Sequence, residues 1–137
     1  MSGFFSGCTN DQLRQVELFA DLDESTLDEL RASSHFMGAH PGLRVITEGD
    51  TGFQLYVILS GEAEVRKGDA VMASLGQGDV FGEMSILSDR HRNADVVATS
   101  VMSMMSMTAS AFREISQAHP EIERRIRQLA ETRLRSG

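Results

Sequence analysis

Residues 54–76 read Gln-Leu-Tyr-Val-Ile-Leu-Ser-Gly-Glu-Ala-Glu-Val-Arg-Lys-Gly-Asp-Ala-Val-Met-Ala-Ser-Leu-Gly, and they carry the strongest indication of the fold. Short apolar runs alternate here with glycine-containing breaks. The runs are Gln54 to Leu59, Ala63 to Arg66 and Ala70 to Leu75, and the breaks are Ser60-Gly61 and Lys67-Gly68-Asp69. Glycine adopts the positive φ angles of tight turns, so this stretch predicts three paired antiparallel strands.

The same pattern continues on both sides of this stretch. Further runs lie at Arg44 to Thr47, Val96 to Ala98 and Val101 to Met107, and another strand ends in Phe81. Many short strands about ten residues apart are typical of a sandwich, a jelly roll or a small barrel. The alternation of Ser and Met over residues 100–106 fits a strand better than a methionine-rich binding surface.

The two ends of the chain have a helical period instead. Leu13, Val16 and Phe19, and then Leu27 and Leu30, recur every three or four residues, which predicts two short helices with a break at Ala20 to Asp23. Asp23 is the expected N-cap of the second helix.

Beyond residue 108 the helical period returns, with a break at His119-Pro120. The last helix is expected from about Pro120 to Arg135, with one apolar stripe that either the barrel or a partner must cover. The stripe comprises Ile122, Ile126, Leu129 and Arg133. The predicted organisation is an N-terminal helical segment (1–34), a β-barrel (35–108) and C-terminal hinge and lid helices (109–137), all within one domain.

Composition excludes several classes of function. The net charge of −7 disfavours nucleic-acid binding, which depends on clustered Lys and Arg. The single cysteine, Cys8, cannot form an internal disulfide, and the four histidines are too scattered for a metal site. No run is long enough for a membrane helix, and no hydrolase motif is present, so we expect a soluble cytoplasmic protein that is not an enzyme and needs no cofactor or metal.

Residues 81–95 contain the candidate ligand-binding residues. A short helix opening after Gly82 would point free N–H groups at one spot, which favours an anion. Arg92 could bring a forked donor to the same anion, and the Glu83 carboxylate suits a sugar hydroxyl. These features predict a site for a nucleotide or sugar phosphate. The alternative is a surface loop in which Glu83 and Arg92 pair only with each other.

Phe81-Gly82-Glu83, followed by Arg92-Asn93-Ala94-Asp95-Val96, resembles the phosphate-binding cassette of the cyclic-nucleotide-binding domain family. Two further landmarks agree in order and separation. They are Glu48-Gly49-Asp50 with Leu55 to Glu62, and Gly76-Gln77-Gly78-Asp79-Val80. The resemblance spans about Leu18 to Arg133. It implies a mainly β fold with flanking helices: an antiparallel jelly-roll or double-stranded β-helix barrel with N-terminal helices and a C-terminal lid helix.

The resemblance also implies a role for each residue of the cassette. Glu83 would accept a hydrogen bond from the ribose 2′-hydroxyl, and Arg92 would pair with the cyclic phosphate. Other expected contacts come from Gly82 with the following Met84 and Ser85, from the side chain of Asn93, and from the amide of Ala94. Val80 and Val71 are expected under the base, and Arg127 or Arg133 of the lid helix is expected to stack on it. Asp95 departs from the family, which frequently has Ser or Thr there.

Two functions in different classes follow from these patterns. The first is a sensor of cAMP or cGMP that relays occupancy through its C-terminal helix to an effector domain or a homodimer, in the cytoplasm or on the cytoplasmic side of a membrane protein. The second is a ligand-free scaffold whose stripe Ile122, Ile126 and Leu129 forms a docking or dimer face.

Overall fold

The computed structural model describes residues 7–46, 54–82 and 94–136. These residues form two four-stranded antiparallel sheets flanked by helices, which confirms the predicted fold class. The strands are β1 (His35–Ala39), β2 (Arg44–Ile46), β3 (Gln54–Ser60), β4 (Ala63–Lys67), β5 (Ala70–Leu75), β6 (Val80–Phe81), β7 (Asp95–Ala98) and β8 (Met102–Thr108). The first sheet has the order β1-β8-β3-β6 and the second the order β2-β7-β4-β5.

The helices of the described residues lie towards the two ends of the chain, as the apolar period predicts. They are α1 (Asn10–Arg14), a 3₁₀ turn (Glu17–Phe19), α2 (Glu24–Ala32), α3 (Ala109–Ala118) and α4 (Pro120–Ser136). Asp23 caps α2, because its Oδ1 accepts a hydrogen bond of 2.8 Å from the backbone N–H of Thr26. The hydrogen bonds from Thr26 hold the pKa of the Asp23 carboxyl below its usual value. Within the described ranges no helix is both long and apolar enough to cross a membrane.

The first predicted helix ends earlier than expected. The chain leaves the helix at Gln15, and Val16 is extended, with φ −86° and ψ 121°. Leu13, Val16, Leu18 and Phe19 are all buried. A continuous helix would place Leu18 on the face opposite the other three, since each residue turns the helix by about 100°. The break therefore lets all four side chains enter the core.

Two apolar clusters occupy the two faces of the first sheet. One joins that sheet to the helices, and the other fills the space between the two sheets. Strand β8 contributes to both: Met105 and Met107 face the helices, and Met102 and Met104 face the second sheet. The methionines are thus buried core residues, which confirms the interpretation of this segment as a strand.

The apolar stripe on α4 is covered by the chain itself. Ile122 and Ile126 have no exposed surface, and both pack in the same cluster as Leu13, Phe19 and Leu27. Of the two possible coverings, the structure therefore shows an intramolecular one. The expectation of a docking face on this stripe is wrong for Ile122 and Ile126, because neither side chain is accessible to a partner.

Candidate functional site

The predicted cassette connects the two sheets. It leaves the first sheet after β6, at Gly82, and rejoins the second sheet at β7, directly after Ala94. Gly82 has a φ of +90°, a conformation that favours glycine, so the chain can turn away from the sheet at this residue. Five of the other predicted ligands lie outside the described residues and remain predictions. They are Glu83, Met84, Ser85, Arg92 and Asn93.

Apolar and aromatic side chains line the barrel interior beside the two ends of the cassette. Phe81 is buried, and its ring stacks on Tyr56 with a centroid distance of 5.0 Å and an interplanar angle of 12°. On the second sheet Val96 belongs to the same cluster, and the half-buried Val65 packs against it. Val65 and Val96 are direct cross-strand partners. This arrangement offers flat apolar contact surface close to the predicted anion site.

Val80 does not belong to this interior surface. Its side chain is 4% exposed and packs in the cluster between the first sheet and the helices. Val80 pairs with Val57, whereas Phe81 pairs with Tyr56, and successive side chains of a strand point to opposite faces. The structure therefore corrects the prediction: Phe81, and not Val80, faces the barrel interior.

Val71 is also poorly placed for a wall of the site. It lies on the edge strand β5 with 54% of its surface exposed. Its cross-strand partner is Arg66, and an irregularity in the register lies beside this pair. Arg66 shares a face with Glu64, to which it donates hydrogen bonds, and alternation places Val65 on the other face. Val71 is thus on the outer face, and Val65 occupies the inner position.

Sequence reasoning missed Phe81, Tyr56 and Val65 as candidate contact residues. A signal for Val65 was present, because Ala63 and Val65 alternate with the charged Glu64 and Arg66. That alternation marks Val65 as an inward-facing residue. Phe81 carried no comparable signal, since β6 has only two residues and both are apolar.

The last residue of the predicted cassette, Asp95, carries a carboxylate that is largely buried. The Asp95 side chain is 14% exposed, and its Oδ2 lies 3.7 Å from Nε of Arg44. Asp95 sits opposite Arg66 on β4, while Arg44 on β2 sits opposite Val97. These positions place Asp95 on the outer face of the second sheet, away from the interior surface formed by Val65 and Val96.

A sequence model of the family described as "Cyclic nucleotide-binding domain" matches residues 39–119. The match covers more than half of the chain and includes the whole of the cassette. The chain belongs to the cyclic nucleotide-binding domain family. This membership confirms the family resemblance, and it accounts for the two facing sheets, which the cassette connects.

The curated relatives of this cyclic nucleotide-binding domain are longer proteins, and the chain matches only a part of each. A cAMP-dependent protein kinase regulatory subunit of Yarrowia lipolytica is 36% identical over 75% of this chain and 28% of its own length. A cyclic nucleotide-gated potassium channel of Rhizobium etli is 32% identical over 84% of this chain and 32% of its own length. The chain thus spans about a quarter to a third of these curated relatives.

A solved structure agrees with this domain in fold and in sequence. The regulatory domain of Toxoplasma gondii PKA, crystallised with cAMP, is 32% identical and superposes with a TM-score of 0.70. The superposition covers 77% of this chain and 42% of that one. By name these relatives are regulatory subunits, a regulatory domain or a channel, and the solved structure shares the fold of this chain.

Helix α4 is attached to the N-terminal helical segment of the domain. Arg125 donates a hydrogen bond of 3.1 Å to the backbone carbonyl of Leu18 and forms an ion pair with Asp21. Arg127 is exposed, and its guanidinium donates to Oε1 of Glu123 at 2.8 and 3.1 Å. The side chain of Arg133 lies outside the described residues, so the residue that stacks on the base remains a prediction.

A cavity lies far along the chain from the cassette, where α2 meets β1. Its volume is about 290 Å³, and its lining includes Cys8, Arg31 and Phe36. Burial raises the pKa of the Cys8 thiol, and the positive charge of Arg31 partly offsets that rise. Arg31 itself donates hydrogen bonds to Asn10 and to the carbonyl of Cys8. A raised pKa disfavours the thiolate, which is the nucleophilic form of cysteine.

Proposed function

We propose that this chain is a non-catalytic regulatory module that binds a cyclic purine nucleotide, cAMP or cGMP, inside its barrel. The observation that carries the proposal is the family match over residues 39–119, which includes the cassette. The geometry supports it, because both ends of the cassette emerge beside an interior lined by Phe81, Tyr56 and Val65. A cyclic nucleotide needs such a combination of an anion site and a flat apolar surface.

Each part of the nucleotide has a proposed partner. Arg92 pairs with the cyclic phosphate, and Glu83 accepts a hydrogen bond from the ribose hydroxyl. The backbone amides of Gly82 and Ala94 complete the cradle, with further contacts from Met84, Ser85 and Asn93. The base lies against the interior surface formed by Phe81 and Val65, and an arginine of α4, Arg127 or Arg133, covers it. No cofactor takes part in this binding.

Occupancy is relayed through α4 in this proposal. Ile122 and Ile126 share one core with the N-terminal helices, so a shift of α4 has to repack that core. A ligand moves such an equilibrium only by its differential affinity for the two positions of the helix. The effector is a separate domain, a partner subunit or a second copy in the cytoplasm, and the three segments 1–34, 35–108 and 109–137 act as one domain.

The scaffold function has less support. It depends on a free apolar stripe on α4, and the buried side chains of Ile122 and Ile126 remove most of that stripe from any partner. Leu129 is only partly buried, but it packs against the same intramolecular cluster. No observation on the described residues favours the scaffold over the sensor.

Titration calorimetry with cAMP and cGMP tests the proposal. We expect wild-type binding at micromolar concentrations and a loss of about 2–5 kcal/mol in Arg92→Ala, because a desolvated phosphate would lose its charged partner. Arg124→Ala is the matched control, since Arg124 is exposed on α4 and its removal changes the net charge equally. Equal binding heats for wild type and Arg92→Ala would contradict the assignment of Arg92, and absence of binding to either nucleotide would contradict the function.

A further inference from the structure

One arginine of α4 makes several polar contacts with the N-terminal helical segment. Nη1 of Arg125 donates to the backbone carbonyls of Leu18, at 3.1 Å, and Glu17, at 3.5 Å, and Nη2 forms an ion pair with the carboxylate of Asp21. Leu18 lies near the end of the 3₁₀ turn, where carbonyls lack partners within the helix. The Arg125 side chain is only 25% exposed. We refer to these contacts as the Arg125 clasp.

The N-terminal side of the clasp is packed against the barrel. Leu18 is buried in the same cluster as Leu55 of the first sheet. The chain just before the 3₁₀ turn also passes close to the turn that precedes β6, because a Cβ built on Gly78 would lie 3.1 Å from the carbonyl oxygen of Gln15. The partners of the clasp are therefore held by the barrel, and a movement of α4 relative to the barrel has to open the clasp.

Arg127, one of the two arginines proposed to cover the base, faces away from the clasp. Arg125 and Arg127 are two residues apart, so on a helix they point in directions about 200° apart. The Arg127 side chain is 59% exposed, and its guanidinium is paired with Glu123 of the same helix. The apolar stripe of α4 packs on the helix side of the first sheet, whereas Phe81 and Val65 belong to the cluster between the two sheets. Contact of Arg127 with the base therefore requires α4 to leave the position seen here.

We propose that the Arg125 clasp is an autoinhibitory restraint: it holds α4 against the N-terminal segment, and it opens when a bound nucleotide draws the helix over the barrel. The inference rests on the proposed function and deepens it. A contact made in only one of two arrangements lowers the apparent affinity of a ligand that favours the other. Loss of the clasp should therefore tighten nucleotide binding while it weakens the fold. A contact with a purely structural role would not produce that combination.

Titration calorimetry with cAMP and with cGMP on the full chain tests this restraint. We expect Arg125→Gln to bind about threefold to tenfold more tightly than wild type. Arg124→Gln is the matched control, because Arg124 is the exposed neighbour on α4 and its loss changes the net charge equally. This control should bind within about twofold of wild type. Asp21→Asn keeps the carbonyl contacts, so its gain should be smaller, and Arg125→Gln should add less in that background.

Hydrogen exchange without nucleotide measures the clasp independently of affinity. The amides of α4 should be less protected in Arg125→Gln than in wild type or Arg124→Gln, because the clasp no longer opposes local opening of the helix. The Tm of Arg125→Gln should fall by about 3–5 °C. If Arg125→Gln fails to fold, Asp21→Asn replaces it, since the Asp21 side chain is 75% exposed.

Two results would overturn the inference. The first is binding by Arg125→Gln that is no tighter than that by Arg124→Gln, since the clasp would then be present in both arrangements. The second is unchanged protection of α4 in Arg125→Gln. If wild type binds neither cyclic nucleotide, the proposed function fails and this inference fails with it. Wild-type binding without a gain in Arg125→Gln rejects this inference alone.

Discussion

Replacing Ile126 by alanine tests whether the α4 stripe is core or interface. Ile126 has no exposed surface and packs among helices from both ends of the chain. The substitution removes three carbon atoms and leaves a space that the surrounding side chains fill only partly. Alanine keeps the helix propensity of α4 high, so the loss reports packing and not helix formation.

The expected size of the effect follows from burial. Transfer of three buried carbons is worth about 2.4 kcal/mol, at about 0.8 kcal/mol each. The remaining cavity raises the total to about 3–4 kcal/mol. An unfolding entropy of about 0.3 kcal/mol/K, scaled to 137 residues, converts the loss into a fall in Tm of about 12 °C.

Thermal unfolding measures the loss of stability expected of a core residue, and light scattering measures the loss of association expected of an interface residue. Leu129→Ala is the matched control, because Leu129 lies on the same stripe but is only partly buried, so its Tm should fall by less than half as much. Molar mass should be the same for wild type and both variants. A Tm within about 3 °C of wild type together with a fall in molar mass would refute the reasoning, since the stripe would then be an interface.

Three other predictions concern the base, the backbone and pH. Val65→Ser should weaken cAMP binding about fivefold in calorimetry while Val71→Ser leaves it unchanged, because only Val65 faces the interior. If Val71→Ser weakened binding and Val65→Ser did not, the prediction that Val71 lies under the base would be restored. Gly61→Ala should lower the free energy of unfolding in urea by more than about 2 kcal/mol, since φ is +93° and a Cβ there would lie 2.7 Å from a backbone Cα of β8. Gly42→Ala is the control, because Gly42 has a similar φ but open space around it, and its loss should be smaller. Asp23→Ala should lower the urea midpoint at pH 7 but not near pH 2. The pKa of Asp23 is lower in the folded state than in the unfolded state, so the ionised carboxylate stabilises the fold at pH values above the unfolded pKa. This stabilisation is lost as the pH falls through the folded pKa. An equal deficit at both pH values would exclude the charged cap.

Much of the barrel could be predicted from the sequence because its strands are bounded by glycine turns. Strand β5 has the predicted limits, and the Gly68 turn has the positive φ that tight connections need. Strand β1 was not predicted as a separate run. It has Gly38 inside it and no glycine boundary before it, so its apolar residues Phe36 and Met37 do not form a recognisable pattern. Pairing with β8 stabilises β1, and the local sequence of β1 does not indicate that distant partner.

The charged ligands and the apolar wall of the site differ in how far sequence can predict them. Glu83 and Arg92 belong to one continuous segment whose motif names them directly. A wall residue is determined by which strands pair and in what register, and those partners lie far apart in the chain. Val71 shows the difficulty, because the irregular register at β5 cannot be inferred from an apolar run of six residues.

The shortest strand therefore has a large influence on the proposed base contact. In β6 the two residues face opposite sides of the first sheet, so a shift of one position would exchange Val80 and Phe81. Pairing with Tyr56 and Val57 fixes the observed frame, and the stack of Phe81 on Tyr56 is available only in that frame. The glycine that follows then begins the cassette directly beside an aromatic ring. A two-residue strand thus couples the position of the phosphate cradle to that of the surface on which the base is proposed to lie.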